Sequence, residues 1–124
     1  MAKIINLKTF SEKKGDLTVI EKILPFEIKR IYYIYNCDGS VRGNHKHKKT
    51  RQAIVCLKGS VDFYCQNENN SVEKFILNKP DKCLLIEPED FHWFDKFSSD
   101  ALILVMASEY FDESDYLFDK RDEN

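Results

Sequence analysis

Between Arg42 and Gln52 the chain reads RGNHKHKKTRQ, which sets His45 and His47 one residue apart amid Arg42, Lys46, Lys48, Lys49 and Arg51. Side chains of an extended strand alternate between its two faces, so the two imidazoles share one face and Lys46 and Lys48 take the other. Two histidines on a purely apolar core face would be hard to satisfy with hydrogen bonds. An ordinary pKa of ~6.5 suits them instead to take up and release protons near neutrality. Lys46, Lys48, Lys49 and Arg51 with Arg42 suit a compact anion such as a diphosphate, although a run of charge also reads as a solvated face. Tyr33 and Tyr35 share a face by the same alternation, where their phenols either line a pocket mouth or fill a core.

These residues need a scaffold, and the sequence supplies short β-rich runs. DLTVIE, KRIYYIYN, the two apolar stretches of QAIVCLKGSVDFYCQNENNS, VEKFILN, the two halves of DKCLLIEPEDFHWFD, and ALILVMAS all carry the β-branched and aromatic residues of strands. In VEKFILN the residues expected to point inward are Val72, Phe75 and Leu77. Asp38-Gly39, Lys58-Gly59 and Asn67 to Ser71 punctuate the runs as turns. Strands every ~8–12 residues, without sustained helical periodicity, predict a sandwich or barrel of antiparallel sheet. Only the tail SEYFDESDYLFDKRDEN departs from this pattern; Ser114 is its candidate N-cap for a short helix, and the acidic end is expected to fray.

Composition narrows the function classes. The 124 residues are 43% hydrophobic and 32% charged, the profile of one ordinary globular domain spanning 1–124. A net charge of -2 argues against a nucleic-acid binder with a broad basic field. No apolar run approaches the ~18–20 residues that span a bilayer, and the N-terminus lacks a secretion signal, so no membrane partner is expected and the cytoplasm is the expected location. Cys37, Cys56, Cys65 and Cys83 form no CxxC and read as reduced structural thiols.

The spacing His45-x-His47, Gln52, Gly59, and later Pro88 and His92 resembles the two-part signature of the cupin superfamily, a jelly-roll β-barrel of two antiparallel sheets. In metal-binding cupins the first part supplies two histidines and a glutamate. Gln52 stands at the glutamate position, and Lys82 and Asp90 occupy usual glycine positions, so the expectation is a site without metal.

More specifically, KRIYYIY, RGNHKHKKTRQ and FSSDALILVMASEYFDESDY, with the interval between them, resemble the sugar 3,4-ketoisomerases that act on dTDP-4-keto-6-deoxyglucose. The resemblance covers nearly the whole chain. It implies a cofactor-free, metal-independent homodimer that moves a carbonyl from C4 to C3 of a dTDP-linked 4-keto-6-deoxyhexose, feeding synthesis of a 3-amino-3,6-dideoxyhexose. Carried onto this sequence, the catalytic residues are His47 as leading base, His45 as its partner, and Tyr33 and Tyr35; the substrate-binding residues are Arg42, Gln52, His92 and Trp93. Two features depart from the family pattern: Asn44 stands where an aromatic residue is frequent, and His92 precedes Trp93 rather than following it. Gln52, five residues after His47, falls on the opposite strand face unless a bend after Lys48 turns it inward. A sugar-nucleotide 3,5-epimerase, a non-catalytic sugar-binding cupin and a metal-dependent dioxygenase are the competing readings.

Overall fold

The computed structural model describes residues 1–119. Its strands are β1 (Lys3–Asn6), β2 (Lys8–Glu12), β3 (Gly15–Val19), β4 (Arg30–Ile34), β5 (Arg42–His47), β6 (Gln52–Lys58), β7 (Val61–Gln66), β8 (Val72–Leu77), β9 (Lys82–Ile86), β10 (Phe91–Asp95), β11 (Leu102–Ala107) and β12 (Tyr116–Leu117). They build two five-stranded antiparallel sheets, ordered β1-β9-β6-β11-β4 and β12-β5-β10-β7-β8, while β2 and β3 pair as a separate hairpin. This is the jelly-roll barrel that the cupin resemblance implies.

Strand alternation explains where the core sits. Ile54 and Cys56 of β6 and Ile103 and Val105 of β11 point between the sheets, where they meet Phe63 and Cys65 of β7 and Phe94 of β10. The intervening residues, Ala53, Val55, Cys83, Leu85 and Met106, fill a second cluster on the other face of the first sheet, covered by Leu7, Ile20, Leu24 and Phe26. Covered on both faces, β6 and β9 read as near-continuous apolar runs, AIVC and CLLI, rather than as alternating ones. Truncating a fully buried residue such as Ile103 to alanine costs ~2–5 kcal/mol in such a core.

Three local expectations are corrected. Val72 points outward and is exposed, whereas Phe75 and Leu77 are buried as expected. β1 and β2 were not legible in MAKIINLKTFSE; β1 owes its strand to pairing with β9, with Lys3 opposite Leu85 and Ile5 opposite Cys83. The helical part of the tail is a single 3-10 turn, Glu113–Asp115, and its cap is Asp112, not Ser114. The Asp112 carboxylate accepts both the Ser114 N–H at 3.0 Å and the Ser114 hydroxyl at 2.7 Å, a stronger acceptor at the right position than the hydroxyl inside the turn. The chain then enters β12, which lays Tyr116 opposite His47 and Leu117 opposite Lys46. The fraying expected of the acidic end falls on 120–124, outside the described residues. All four cysteines are free thiols, and no helix among the described residues is long and apolar enough to cross a membrane.

Candidate active site

The histidines are aimed by a bulge in β5. His92 of β10 stands opposite His45, but the next residue, Trp93, stands opposite Gly43, leaving Asn44 unmatched. Gly43 and Asn44 both have positive φ, +90° and +57°. A Cβ on Gly43 would lie 3.0 Å from the His92 carbonyl oxygen and 3.2 Å from the Trp93 Cα, so both the backbone angle and the close approach call for glycine. Asparagine tolerates left-handed backbone better than other non-glycine residues, which accounts for Asn44 in place of an aromatic residue.

Between the sheets lies a cavity of about 410 Å³ whose lining includes His45, His92, Arg30, Tyr32, Arg42, Gln52 and Tyr116. His47 sits behind this wall, 1% exposed. The three rings cluster with centroids 4.7 Å apart for His45 and His92, 5.0 Å for His45 and His47, and 5.9 Å for His47 and His92. Each Nδ1 faces a group that can only accept a hydrogen bond: the Gly43 carbonyl at 3.1 Å for His45, the Asp90 carbonyl at 3.0 Å for His92, and the Asp115 carboxylate at 2.9 Å for His47. Each Nδ1 therefore carries a hydrogen, and in the neutral rings each Nε2 keeps its lone pair. Burial, reinforced by the neighbouring His47, lowers His45 to about 4. Burial, with His45 nearby, takes His92 down to about 3. Burial also lowers His47, but there the hydrogen bond and charge of Asp115 oppose the fall.

The opposite wall comes from β4 and β6. Residues 48–51 carry the chain from one sheet to the other, and this bend turns Gln52 inward. Gln52 Nε2 donates to the Tyr32 hydroxyl at 2.9 Å. Its Oε1 and the Nε of Arg30 are buried without a protein partner. Burial pushes Tyr32 up to about 12, so its hydroxyl stays protonated.

His45, Arg42, Gln52 and His92 therefore meet in one cavity, with His47 directly behind. Tyr33 and Tyr35 do not join them. They share a face and stack at 5.9 Å, but that face is the outside of the barrel, where they are 63% and 57% exposed. Tyr32, one residue out of phase, is the β4 tyrosine that lines the cavity. Trp93 is also misplaced by the sequence reading: it lies on the opposite face of β10 from His92, stacked on Tyr64 at 5.4 Å. The cationic run separates as well. Lys46 is buried, Arg51 is clamped bidentately to Glu87 at 2.8 and 2.9 Å, and Arg42 reaches the cavity.

Sequence reasoning missed Arg30, Tyr32, Thr50, Asp115 and Tyr116. The alternation of β4 groups Arg30 with Tyr32 but does not say that this set faces inward. Asp115 and Tyr116 come from the far end of the chain and carried no local signal. Asp115 is 3% exposed and accepts the Thr50 hydroxyl, the Lys49 N–H at 2.9 Å and His47 Nδ1–H. Burial alone would raise its carboxyl; hydrogen bonds from Thr50, Lys49 and His47 outweigh that and hold it low. The Tyr116 ring packs 5.0 Å from His45 and 4.7 Å from His47.

The three histidines also place one potential metal-ligating atom each within 4.8 Å of one another. Cupin metal sites complete such a set with a carboxylate. Here that position is Gln52, a neutral amide in place of an anionic carboxylate, and Asp115 is turned onto His47 Nδ1, so the residues do not reproduce that site.

Residues 1–123 match the family model FdtA, described as WxcM-like, C-terminal. The chain is 41% identical over 118 residues to a TDP-4-oxo-6-deoxy-alpha-D-glucose-3,4-oxoisomerase of Aneurinibacillus thermoaerophilus, covering 93% of this chain and 84% of the relative. It superposes with a TM-score of 0.90 on a single-residue variant of the 3,4-ketoisomerase QdtA from Thermoanaerobacterium thermosaccharolyticum in complex with TDP-4-keto-6-deoxyglucose; identity is 39%, covering 95% of this chain and 87% of that one. A 3,5-epimerase of Legionella pneumophila Philadelphia 1 shares the fold alone, at 15% identity and a TM-score of 0.79, over 93% of this chain and 70% of its own.

Proposed function

Because this chain belongs to the FdtA, WxcM-like C-terminal family and is a TDP-sugar 3,4-ketoisomerase, we propose that it moves the carbonyl of TDP-4-keto-6-deoxyglucose from C4 to C3 by histidine acid–base chemistry. The observation that carries this reading is His45: its Nδ1–H is committed to the Gly43 carbonyl, burial keeps the ring unprotonated at neutral pH, and it lines the cavity.

The C4 ketone acidifies the C3 hydrogen. His45 removes that proton, the C3–H electron pair forms a C3=C4 double bond, and the carbonyl pair moves onto O4 to give an enediolate. O4 then gains a proton, O3 loses one, and His45, its proton having exchanged with solvent, delivers one to C4, leaving the ketone at C3 with no net gain or loss of protons. His47, ranked first as base from the sequence, is set behind the cavity wall and takes the oxygen-side proton exchange instead. Arg30 and Gln52, with a buried donor and a buried acceptor lacking protein partners, and the Tyr32 hydroxyl hold the sugar oxygens as charge develops. Arg42 meets the diphosphate.

A second copy of the chain covers the outer face of β4, the edge of its sheet, where Ile31, Tyr33 and Tyr35 are exposed. The enzyme works in the cytoplasm and supplies a 3-keto sugar for amination.

Incubation with TDP-4-keto-6-deoxyglucose in deuterated water tests the assignment. NMR of the product should show the ketone at C3 and deuterium at C4. A ketone still at C4 beside inverted carbons would make the protein an epimerase, and binding without turnover would make it a sugar-binding module; either result overturns the proposal.

A further inference from the structure

The three imidazoles are alike in tautomer but not in surroundings. His45 and His92 donate to neutral backbone carbonyls, and His47 donates to a buried carboxylate. With ring centroids 4.7 to 5.9 Å apart in a buried cluster, two imidazolium charges would repel strongly, so the cluster holds one proton at a time. The ring with a counter-ion is its most stable seat.

The Asp115 carboxylate is built for that task. The turn after β5 wraps it: the Lys48 N–H donates to the Asp115 carbonyl at 2.8 Å, the Lys49 N–H to Oδ1 at 2.9 Å, and the Thr50 hydroxyl to Oδ2. Four consecutive residues, His47 to Thr50, thus converge on one acid that lies 68 positions away from His47. The bonds from Lys49 and Thr50 keep the carboxylate ionised in a buried setting and fix the oxygen that receives His47 Nδ1–H. The arrangement orients a base through a third group, although Asp115 itself is outside the cavity lining.

We propose that Asp115 is a positioning residue that makes His47 the proton carrier of the cluster, leaving His45 free as the neutral base. This deepens the ketoisomerase reading and rests on it for the catalytic consequence, but the proton-seat claim stands on the dyad alone. In the isomerisation the proton that His45 takes from C3 passes to His47, which gives it to O4 and then takes one back from O3 for return through His45 to C4, so His47 begins and ends each turnover neutral. Its ligating nitrogen lies within 4.8 Å of those of His45 and His92, a gap that one water spans.

The chain has only three histidines, all in this cluster, so ¹⁵N-detected imidazole NMR can follow each ring without overlap. Among the described residues, the groups that face His47 include Asp115 from the 3-10 turn, Tyr116 from β12, His45 from β5, His92 from β10 and the charge of Arg30 from β4. On acidification of the wild-type protein, His47 should be the first of the three rings to protonate. In Asp115→Asn the His47 titration should move down by about one pH unit or more, removal of a charge-assisted bond being worth ~1.5–3 kcal/mol, and kcat should fall ~10- to 100-fold with KM nearly unchanged. Thr50→Val, which removes a contact to Asp115 but leaves the His47 bond, should lower thermal stability while His47 remains the first ring to protonate. The proposal is overturned if His45 or His92 protonates first in the wild type, a measurement that needs no variant to fold. It is overturned equally if folded Asp115→Asn keeps the wild-type His47 titration. A normal His47 titration order in a protein that does not turn over the ketosugar would sink the ketoisomerase reading and leave the dyad intact.

Discussion

The two walls of the cavity differ in what a proton can do to them. On the β5 and β10 side, beside Arg42, stand imidazoles whose neutral form burial favours. On the β4 and β6 side stand a guanidinium that stays charged, an amide that never ionises, and a phenol pushed up to about 12. One wall can change its protonation during turnover and the other cannot. Proton exchange is thus confined to one sheet, and each wall can be broken in turn.

The largest effect should come from the titrating wall. His45→Asn keeps the size and the hydrogen-bonding capacity toward Gly43 but removes the base, so kcat should fall ~10²- to 10⁴-fold with KM changed little. Steady-state kinetics checks this; a variant within a factor of a few of wild type would move the base elsewhere. On the fixed wall, Gln52→Leu removes the buried acceptor that has no protein partner. Catalytic efficiency should drop ~10-fold through weaker sugar binding, while denaturant unfolding shifts by no more than ~1 kcal/mol, because an unsatisfied polar group leaves along with the Tyr32 contact. A large loss of stability with unchanged kinetics would make Gln52 a structural residue.

The titrating wall also links stability to pH, and its sign follows from the lowered histidines. Below an unfolded-state pKa of ~6.5 the unfolded chain binds protons that the folded cluster refuses, so stability is fully present above that pH and falls as the solution is acidified toward about 4 and then about 3. Asp90, whose buried carboxyl is pushed upward, works in the opposite sense at the acid end. Chemical denaturation at pH 7.5 and pH 5 should therefore show a lower midpoint at pH 5. His92→Gln should flatten the difference, whereas an unchanged slope in that variant would mean that His92 is not held neutral by the fold.

How much of this was legible depends on the signal each part leaves. The β-rich architecture was written in short apolar runs, and His-x-His in a strand fixed a shared face for His45 and His47. Gln52 could be turned inward only by a bend whose geometry no spacing rule supplies, and the bend is real because residues 48–51 pass between sheets. KRIYYIY was ambiguous for a physical reason: aromatic residues occupy both faces of β4, so alternation groups them into sets without saying which set faces in. The same holds for FHWF, where His92 and Phe94 go inward and Phe91 and Trp93 outward. Asp115 was out of reach, since its partners His47, Lys49 and Thr50 are brought to it by a tail that reads only as acidic and aromatic.

The smallest expected effect tests the assignment of faces in β4. Tyr33→Phe and Tyr35→Phe each remove one hydroxyl and keep the ring, so the 5.9 Å stack and any cover from a second copy are preserved. With both phenols on the outside of the barrel, neither variant should change kcat or KM by more than ~2-fold, surface changes of this kind being worth within about 0.5 kcal/mol. Tyr32→Phe, one residue away, removes a hydroxyl that accepts from Gln52 inside the cavity and should cost ~10-fold or more. The paired comparison is sharper than either measurement alone, because all three substitutions delete the same atom from neighbouring positions of one strand. If Tyr33→Phe proved as damaging as Tyr32→Phe, the outer face of β4 would have to reach a reacting sugar, and the division of labour between the two walls would fail with it.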